Sequence, residues 1–284
     1  TDGSRDIARR SLVIVSDSET LVKSSHRHLE KSISVMDASG FAEASSSVSG
    51  NNVIFFSNPH AKMLMSEMFT KKYAAHNPFI STLAQWTVAD ITKSDKSGTY
   101  ATASAVFEND PSDFMTVLAK SEPAVSKVSH ILPSYTVSAV SLPMKDAEPY
   151  ITAYQSYLDS KQALQALRKK NRDLQTRTGV SPEDFVKRLD VKEMARATFM
   201  SGGALDTVNL MRIGRQDTLI FVGTQNKSFK NYVPAIHSWP YASYASAVFG
   251  KFFQLKDESC FTYMDGWIVS GSLKAVEEYV QGKT

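Results

Sequence analysis

The segment from His237 to Tyr244 holds the densest group of side chains that could recognise a ligand. A Trp, two Tyr and a His flank a proline in the order His237-Ser238-Trp239-Pro240-Tyr241-Ala242-Ser243-Tyr244. Trp and Tyr combine an apolar ring face with a hydrogen-bonding edge, which suits a sugar ring or a partner chain. The segment therefore predicts a ligand-binding site at His237, Trp239, Tyr241 and Tyr244. The alternative is a loop whose aromatic rings fold back onto the core.

No catalytic motif accompanies these aromatic residues. The sequence has no G-x-S-x-G nucleophile turn and no G-x-x-x-x-G-K-[ST] phosphate loop. His26 and His28 diverge on a predicted helix, and the other histidines have no carboxylate at ligand spacing. We therefore expect no metal and no cofactor, and we favour a non-enzymatic role. The alternative is a hydrolase whose site forms around His237 only in three dimensions.

The charge of the chain argues against a nucleic-acid partner. Its 284 residues carry a net charge of only +3, whereas nucleic-acid binding favours basic residues clustered on one face. The run Arg168-Lys169-Lys170-Asn171-Arg172 could contact phosphates. Because no aromatic residues interleave it as stacking partners, we favour a solvated helix face.

The single cysteine and the hydropathy of the chain restrict its class further. Cys260 lies in an apolar predicted strand, where we expect a buried and unreactive thiol. No apolar run approaches the roughly 20 residues that span a bilayer. Residues 1–10 are polar and without periodicity, which predicts a tether.

Four segments share the order strand, short turn, amphipathic helix. In each, strand-forming residues end in Ser and are followed by helical spacing. The predicted strands of these units are residues 11–16, 53–57, 135–141 and 267–270. This pattern predicts repeated strand-turn-helix units and two similar halves, 11–134 and 135–284, which could form one continuous domain.

Between these units the sequence predicts hairpins and further helices. Alternating residues at 86–91 and 100–107 predict a hairpin, followed by a helix bearing Phe114, Val117 and Leu118. Apolar spacing predicts one long helix over about 147–176 with a slip in phase near Lys161, and Ser181-Pro182 predicts the start of another. Residues 38–50 predict a loop or a weak edge strand.

The end of the chain is predicted to be rich in strands. The predicted strands are 208–212, 218–222, 249–255, 261–264 and 267–269, the last two joined by the type I′ turn pair Asp265-Gly266. Short strands in hairpins predict an α+β fold with mainly antiparallel sheets and helices packed on them.

The middle and the end of the chain resemble a known family. The features are Trp86-x-x-x-Asp90, then Gly98 before a strand, Phe107 to Phe114, Ile131-Leu132-Pro133-Ser134, and the closing segment Tyr263 to Ser272. With these features the chain resembles uncharacterised cell-envelope lipoproteins of Bacteroidetes-type bacteria, which carry a domain of unknown function. The resemblance implies export to the cell envelope, periplasmic or surface-exposed, and lipid anchoring through a Cys upstream of residue 1.

Together these observations predict a non-enzymatic envelope protein. It would bind a partner protein or a glycan, or serve a structural role, and would meet the membrane only through its lipid anchor.

Overall fold

The chain folds into two compact units, Thr1–Glu108 and Asn109–Thr284. The structure is a computed structural model that describes residues 12–48, 52–61, 63, 80–94, 98–201, 203–215, 236–255 and 259–282. Each unit has its own antiparallel sheet, which confirms the predicted α+β class. The prediction of two similar halves, 11–134 and 135–284, concerns an internal duplication and stays a prediction.

The first unit has a three-stranded sheet in the order β1-β2-β3. Its described elements are helices α1 (Glu19–Glu30) and α2 (Phe41–Ser46) and strands β1 (Val53–Ser57), β2 (Trp86–Ser94) and β3 (Gly98–Val106), with 3-10 turns at Val35–Asp37 and Ile80–Thr82. The β2–β3 register runs unbroken from Trp86 opposite Val106 to Ser94 opposite Gly98.

Helix α2 covers one face of this sheet. Ala44, Val88 and Val106 are buried together there, and the ring of Phe41 lies 5.0 Å from that of Trp86. The Trp86 indole N–H donates to the carbonyl of Ser39 over 2.8 Å, which fixes the chain where it enters α2. Helix α1, by contrast, has no buried residue.

The second unit has a six-stranded sheet in the order β4-β5-β6-β9-β8-β7. Its strands are β4 (Thr136–Pro143), β5 (Val191–Ser201), β6 (Ala204–Ile213), β7 (His237–Ser238), β8 (Cys260–Met264) and β9 (Trp267–Gly271). Its helices are α3 (Phe114–Lys120), α4 (Glu148–Ser160), α5 (Leu164–Thr178), α6 (Pro182–Leu189), α7 (Tyr244–Phe249) and α8 (Leu273–Gln281), with 3-10 turns at Val128–His130 and Lys251–Phe253.

Apolar side chains pack against both faces of the six-stranded sheet. On one face, Ala195 and Phe199 of β5 pack with Val276 and Tyr279 of α8. On the other, Met194 shares a core with side chains of α4, α6 and α7. Because successive residues of β5 enter opposite cores, both faces of this strand are buried.

Several predicted elements are confirmed. Strand 53–57, the hairpin after Trp86, the strand after Tyr135 and the closing strands all form. Asp265 and Gly266 have φ values of 50° and 84°, as the predicted type I′ turn requires. The hydroxyl of Ser181 accepts from the backbone N–H of Asp184 over 3.1 Å and caps α6 as predicted.

The predicted long helix is two helices. It breaks after Ser160, and Gln162 there has a left-handed φ of 57°. The N–H groups of Ala163 and Gln162 donate to the carbonyls of Leu158 and Asp159, which is the Schellman pattern of a helix C-terminus. The slip in phase near Lys161 marks this break.

Three other predicted segments are wrong. Residues 12–16 form no strand, and Leu12, Val13 and Val15 are exposed there without a pairing partner among the described strands. Within 38–50 the chain forms helix α2, because Phe41 and Ala44 reach the core of the sheet. Residues 249–255 contain the end of α7 and a 3-10 turn, since Gly250 with a φ of 99° interrupts the run.

The repeated strand-turn-helix unit is not confirmed. Its first copy lacks the strand, while β4 with α4 and β9 with α8 keep the predicted order. Residues 64–69, part of the helix predicted to follow strand 53–57, lie outside the described residues, as do the predicted strand 218–222 and the predicted tether 1–10.

Candidate functional site

The aromatic residues predicted to bind a ligand lie in the core of the second unit. Trp239, Tyr241 and Tyr244 are only 3 %, 7 % and 0 % exposed. Their rings surround Phe185 of α6, with centroid distances of 6.0, 4.6 and 5.1 Å respectively.

The hydroxyl of Tyr244 in this cluster has its hydrogen-bond partners inside the protein. The hydroxyl of Tyr244 donates to the carbonyl of Val180 over 2.6 Å and also contacts the hydroxyl of Thr178. Burial raises the pKa of both Tyr241 and Tyr244. This packing matches the alternative of a loop folded onto the core, and the ligand-binding role of the four residues stays a prediction.

His237 lies at the edge of the six-stranded sheet, apart from Phe185. It belongs to the two-residue strand β7 and pairs with Phe261, whose ring centroid is 5.7 Å from its own. Among the described residues, none forms a hydrogen bond or an ion pair with the His237 side chain. A hydrolase site around His237 therefore stays a prediction.

The basic run of α5 has the geometry of a solvated face. Its four charged residues, Arg168, Lys169, Lys170 and Arg172, are exposed. Asn171 between them is buried and donates to Glu183 over 2.8 Å, so the run is anchored from its inner side.

Cys260 is less buried than its sequence context predicts. It is a free thiol of intermediate exposure in β8, near the edge of the six-stranded sheet.

A buried carboxylate that the sequence did not reveal lies in β5. Glu193 is fully buried and accepts hydrogen bonds from Ser126, Ser141 and the backbone N–H of Lys127 over 2.5, 2.6 and 2.8 Å. The guanidinium of Arg212 lies 3.3 Å away.

The pKa of Glu193 reflects these partners. Burial by itself raises it, but the three hydrogen bonds and Arg212 outweigh burial, so the pKa of Glu193 lies below its ordinary value. A carboxylate with a low pKa is a weak base, so this cluster is better suited to holding Ser126 and Lys127 against the sheet than to activating a hydroxyl.

Among the residues that the structure describes, a groove in the second unit is the candidate for a binding surface. Its volume is about 590 Å³, within the range of small-molecule sites of roughly 300–1,000 Å³. Residues of the 109–120 segment and of α4 with the turn before it line the groove: Asn109, Pro111, Thr116, Val117, Lys120, Asp146, Glu148, Pro149, Thr152, Ala153 and Ser156.

Aromatic packing sets the distance between the two helices that form this groove. The ring of Phe114 at the start of α3 lies 5.5 Å from Tyr157 and 6.5 Å from Tyr154 of α4. Burial raises the pKa of Tyr154 to about 12, with a smaller contribution from Tyr157. The aromatic residues of both helices therefore hold the groove walls without lining them, whereas Val117 of the predicted α3 stripe lines the groove.

The groove combines apolar side chains with hydroxyl groups. Val117 and Thr116 are buried beneath it, whereas Thr152 and Ser156 lie one helical turn apart on α4 and face outward. Pro111, Pro149 and Ala153 are the other apolar residues of the lining. None of the described residues that line the groove is aromatic.

Two of the three charged residues that line the groove, Glu148 and Asp146, have partners within the protein. Glu148 pairs with Lys187 over 2.6 Å, and its hydrogen bond is the main reason why the pKa of Lys187 is raised. A carboxylate oxygen of Asp146 accepts from the backbone N–H of Glu148 over 3.0 Å. Lys120 has no carboxylate partner in the described part of the chain. Within that part, the groove therefore has a Lys side chain that can pair with a ligand, beside two carboxylates that already have partners in the protein.

Neither a metal centre nor a membrane-spanning helix is found in the part of the chain that the structure describes. Within those ranges, no three His, Cys, Asp or Glu side chains are placed to hold a metal ion together. In the same ranges, no helix has the length and apolar content to cross a membrane.

No protein-family model matches this chain, and no curated protein or solved structure matches it either.

Proposed function

We propose that this chain is a non-catalytic binding protein of the bacterial cell envelope, and that a short polypeptide segment of a partner binds in the groove between α3 and α4. The observation that carries the proposal is the lining of the groove. The buried Val117 lies beside hydroxyls and charges that are exposed, and this combination of apolar and polar groups is typical of protein recognition surfaces.

The same lining favours a polypeptide over a glycan. Sugar rings are usually recognised by stacking on aromatic faces, and the described residues that line the groove include no aromatic ring. The aromatic residues predicted for that role, Trp239, Tyr241 and Tyr244, are packed against Phe185.

The charges of the groove support a binding role. Glu148 and Asp146 are engaged by Lys187 and by a backbone N–H, so both are held as acceptors. Lys120 can pair with a carboxylate of an incoming segment. We therefore expect bound peptides to combine small apolar residues with at least one acidic residue.

The location is a separate part of this proposal. Export and lipid anchoring are supported by the resemblance carried by Trp86, Asp90 and the closing segment Tyr263 to Ser272. Fractionation of the bacterium that makes the protein tests it: recovery in the envelope fraction is expected, and recovery with cytoplasmic proteins would contradict it.

The binding proposal can be tested with a displayed library of random peptides and the purified chain. Ser156→Trp places a large ring on an exposed position that lines the groove. Gln165→Trp places the same ring on the exposed face of α5 and is the matched control. We expect the wild type and Gln165→Trp to retain a common set of peptides that Ser156→Trp loses.

Two results would contradict this expectation. Retention of the same peptides by Ser156→Trp would place binding elsewhere. Failure of the wild type to enrich any peptide, with binding to an array of glycans instead, would replace the polypeptide by a sugar.

A further inference from the structure

Strand β3 is an edge strand whose sequence and register lack the features that usually prevent pairing with another chain. Among the described residues β2 is its only neighbour, and within that part of the chain the backbone N–H and C=O groups on the other edge of β3 have no strand partner. Gly98–Val106 contains no charge and no proline, and its register with β2 has no bulge. The side chains of residues 101–104 are all exposed.

The other edge strands differ from β3 in this respect. β1 and β7 are short, with five and two residues. β4 has a register shift between Thr136 and Ser138 and ends in Pro143. Short strands, bulges and prolines are the usual means by which proteins avoid edge-to-edge pairing. β3 has nine residues and none of these protections.

We propose that two copies of this chain pair through β3, antiparallel and edge to edge, so that two three-stranded sheets form one six-stranded sheet. The two-fold axis passes beside Thr102, which faces its own copy. This inference is independent of the groove between α3 and α4.

The sequence of β3 is self-complementary in that register. Ala101 then faces Ala103 of the second copy, and position 100 faces Ser104, so small or uncharged side chains meet at each of these positions. A two-fold interface brings the same surface of each copy together, and an uncharged strand does so without repulsion. Pairing at a single strand edge buries less than about 1,200 Å², so we expect a reversible, concentration-dependent dimer.

Charged variants on β3 test this register directly. Ala101→Lys with Ala103→Lys would set two Lys–Lys pairs opposite each other across the axis. Both positions are exposed, and their neighbours on β2 are Ile91 and Ala89, so the single chain should remain folded. The matched control, Val137→Lys with Ala139→Lys, changes exposed residues of the β4 edge.

Sedimentation equilibrium provides the measurement. The average mass of the wild type and of the β4 control should rise with concentration from 31.4 kDa towards twice that value. The Lys variant of β3 should dimerise at least about tenfold more weakly, because like charges directly opposite each other are destabilising. Ala101→Glu with Ala103→Glu should behave in the same way alone and form a heterodimer when mixed with the Lys variant.

Several outcomes would overturn the proposal. They are a wild type that stays monomeric at every concentration, unchanged dimerisation of the Lys variant, loss of dimers in the β4 control, masses beyond a dimer, or no heterodimer in the mixture.

If either charged variant fails to fold, Thr102→Cys in a chain with Cys260→Ser replaces the charge test. A residue on the axis should form an intermolecular disulfide on oxidation, whereas Val137→Cys should not; no disulfide at Thr102 would reject the register.

Discussion

Glu193 is the residue whose surroundings depart most from what its type suggests. A carboxylate in a strand is usually exposed, yet this one is fully buried and held by two hydroxyls, a backbone N–H and Arg212. Its hydrogen bonds connect residues 126 and 127 to β5 and to Ser141 of β4. We interpret the cluster as the polar link that fixes the 121–130 segment on the sheet.

Glu193→Gln tests this interpretation through the pH dependence of stability. The folded pKa of Glu193 lies below its ordinary value, so the stabilisation is complete above about pH 4.3 and disappears as pH falls through the folded pKa. At pH 7 we expect the variant to lose about 2–3 kcal/mol of unfolding free energy. Urea unfolding at several pH values measures it; a difference between the two proteins that does not shrink in acid would contradict the interpretation.

The aromatic cluster around Phe185 yields a second prediction at this scale. Trp239→Ala and Tyr241→Ala should each lower the free energy of unfolding by about 3–5 kcal/mol, because each removes a buried ring. Phe252→Ala, on a ring that is 52 % exposed, is the matched control and should cost about 1 kcal/mol or less. Wild-type stability of the two former variants, together with loss of a bound ligand, would instead support the site predicted at these residues.

At the scale of elements, the break between α4 and α5 shows how one residue ends a helix. Gln162 occupies the left-handed position of a Schellman motif, where glycine is usual. Its side chain makes this conformation unfavourable by roughly 1–2 kcal/mol. Directly after the break, Leu164 begins α5 and is buried.

Gln162→Gly should therefore stabilise the protein. We expect a gain of about 0.5–1 kcal/mol, since glycine adopts the left-handed conformation without steric cost. Ala163→Gly changes the adjacent residue, whose φ of −100° needs no glycine, and should destabilise by a similar amount. Thermal unfolding compares the two; equal effects of both variants would show that the conformation of Gln162 is not strained.

Sequence patterns predicted the elements that carry a local signal in alternation, capping or turn residues. The hairpin of β2 and β3 and the type I′ turn at Asp265 were found because alternation and turn residues are local signals. β5 was missed because Met194 and Ala195 are both buried, so its two faces show no contrast. Residues 12–16 have strand-forming residue types, but no described strand pairs with them.

At the scale of the whole molecule, the second unit has a complete core of its own. All buried side chains of its two clusters lie between Val117 and Val280. We therefore expect the fragment 109–284, expressed alone, to unfold in one cooperative transition with the near-UV circular dichroism of packed aromatic rings. A fragment without that signal would show that its core depends on the first unit.

The groove could not be predicted from sequence because it depends on how two helices pack against each other. The apolar stripes of α3 and α4 were recognised, but the groove depends on how closely Phe114, Tyr154 and Tyr157 bring the helices together. Its lining residues are spread over 48 positions, from Asn109 to Ser156, and share no spacing. The segment His237 to Tyr244 stands out in the sequence because it is rich in aromatic residues. In the structure Trp239, Tyr241 and Tyr244 of this segment are buried in the core.

Amide hydrogen exchange, with and without a peptide selected by the wild-type chain, tests the proposed function at the groove itself. We expect slower exchange in Phe114–Lys120 and Glu148–Ser160 on peptide binding, with exchange elsewhere nearly unchanged, and no such protection in Ser156→Trp. Protection confined to β3, to α1 or to the strands around His237 would contradict the proposal and place the binding surface there.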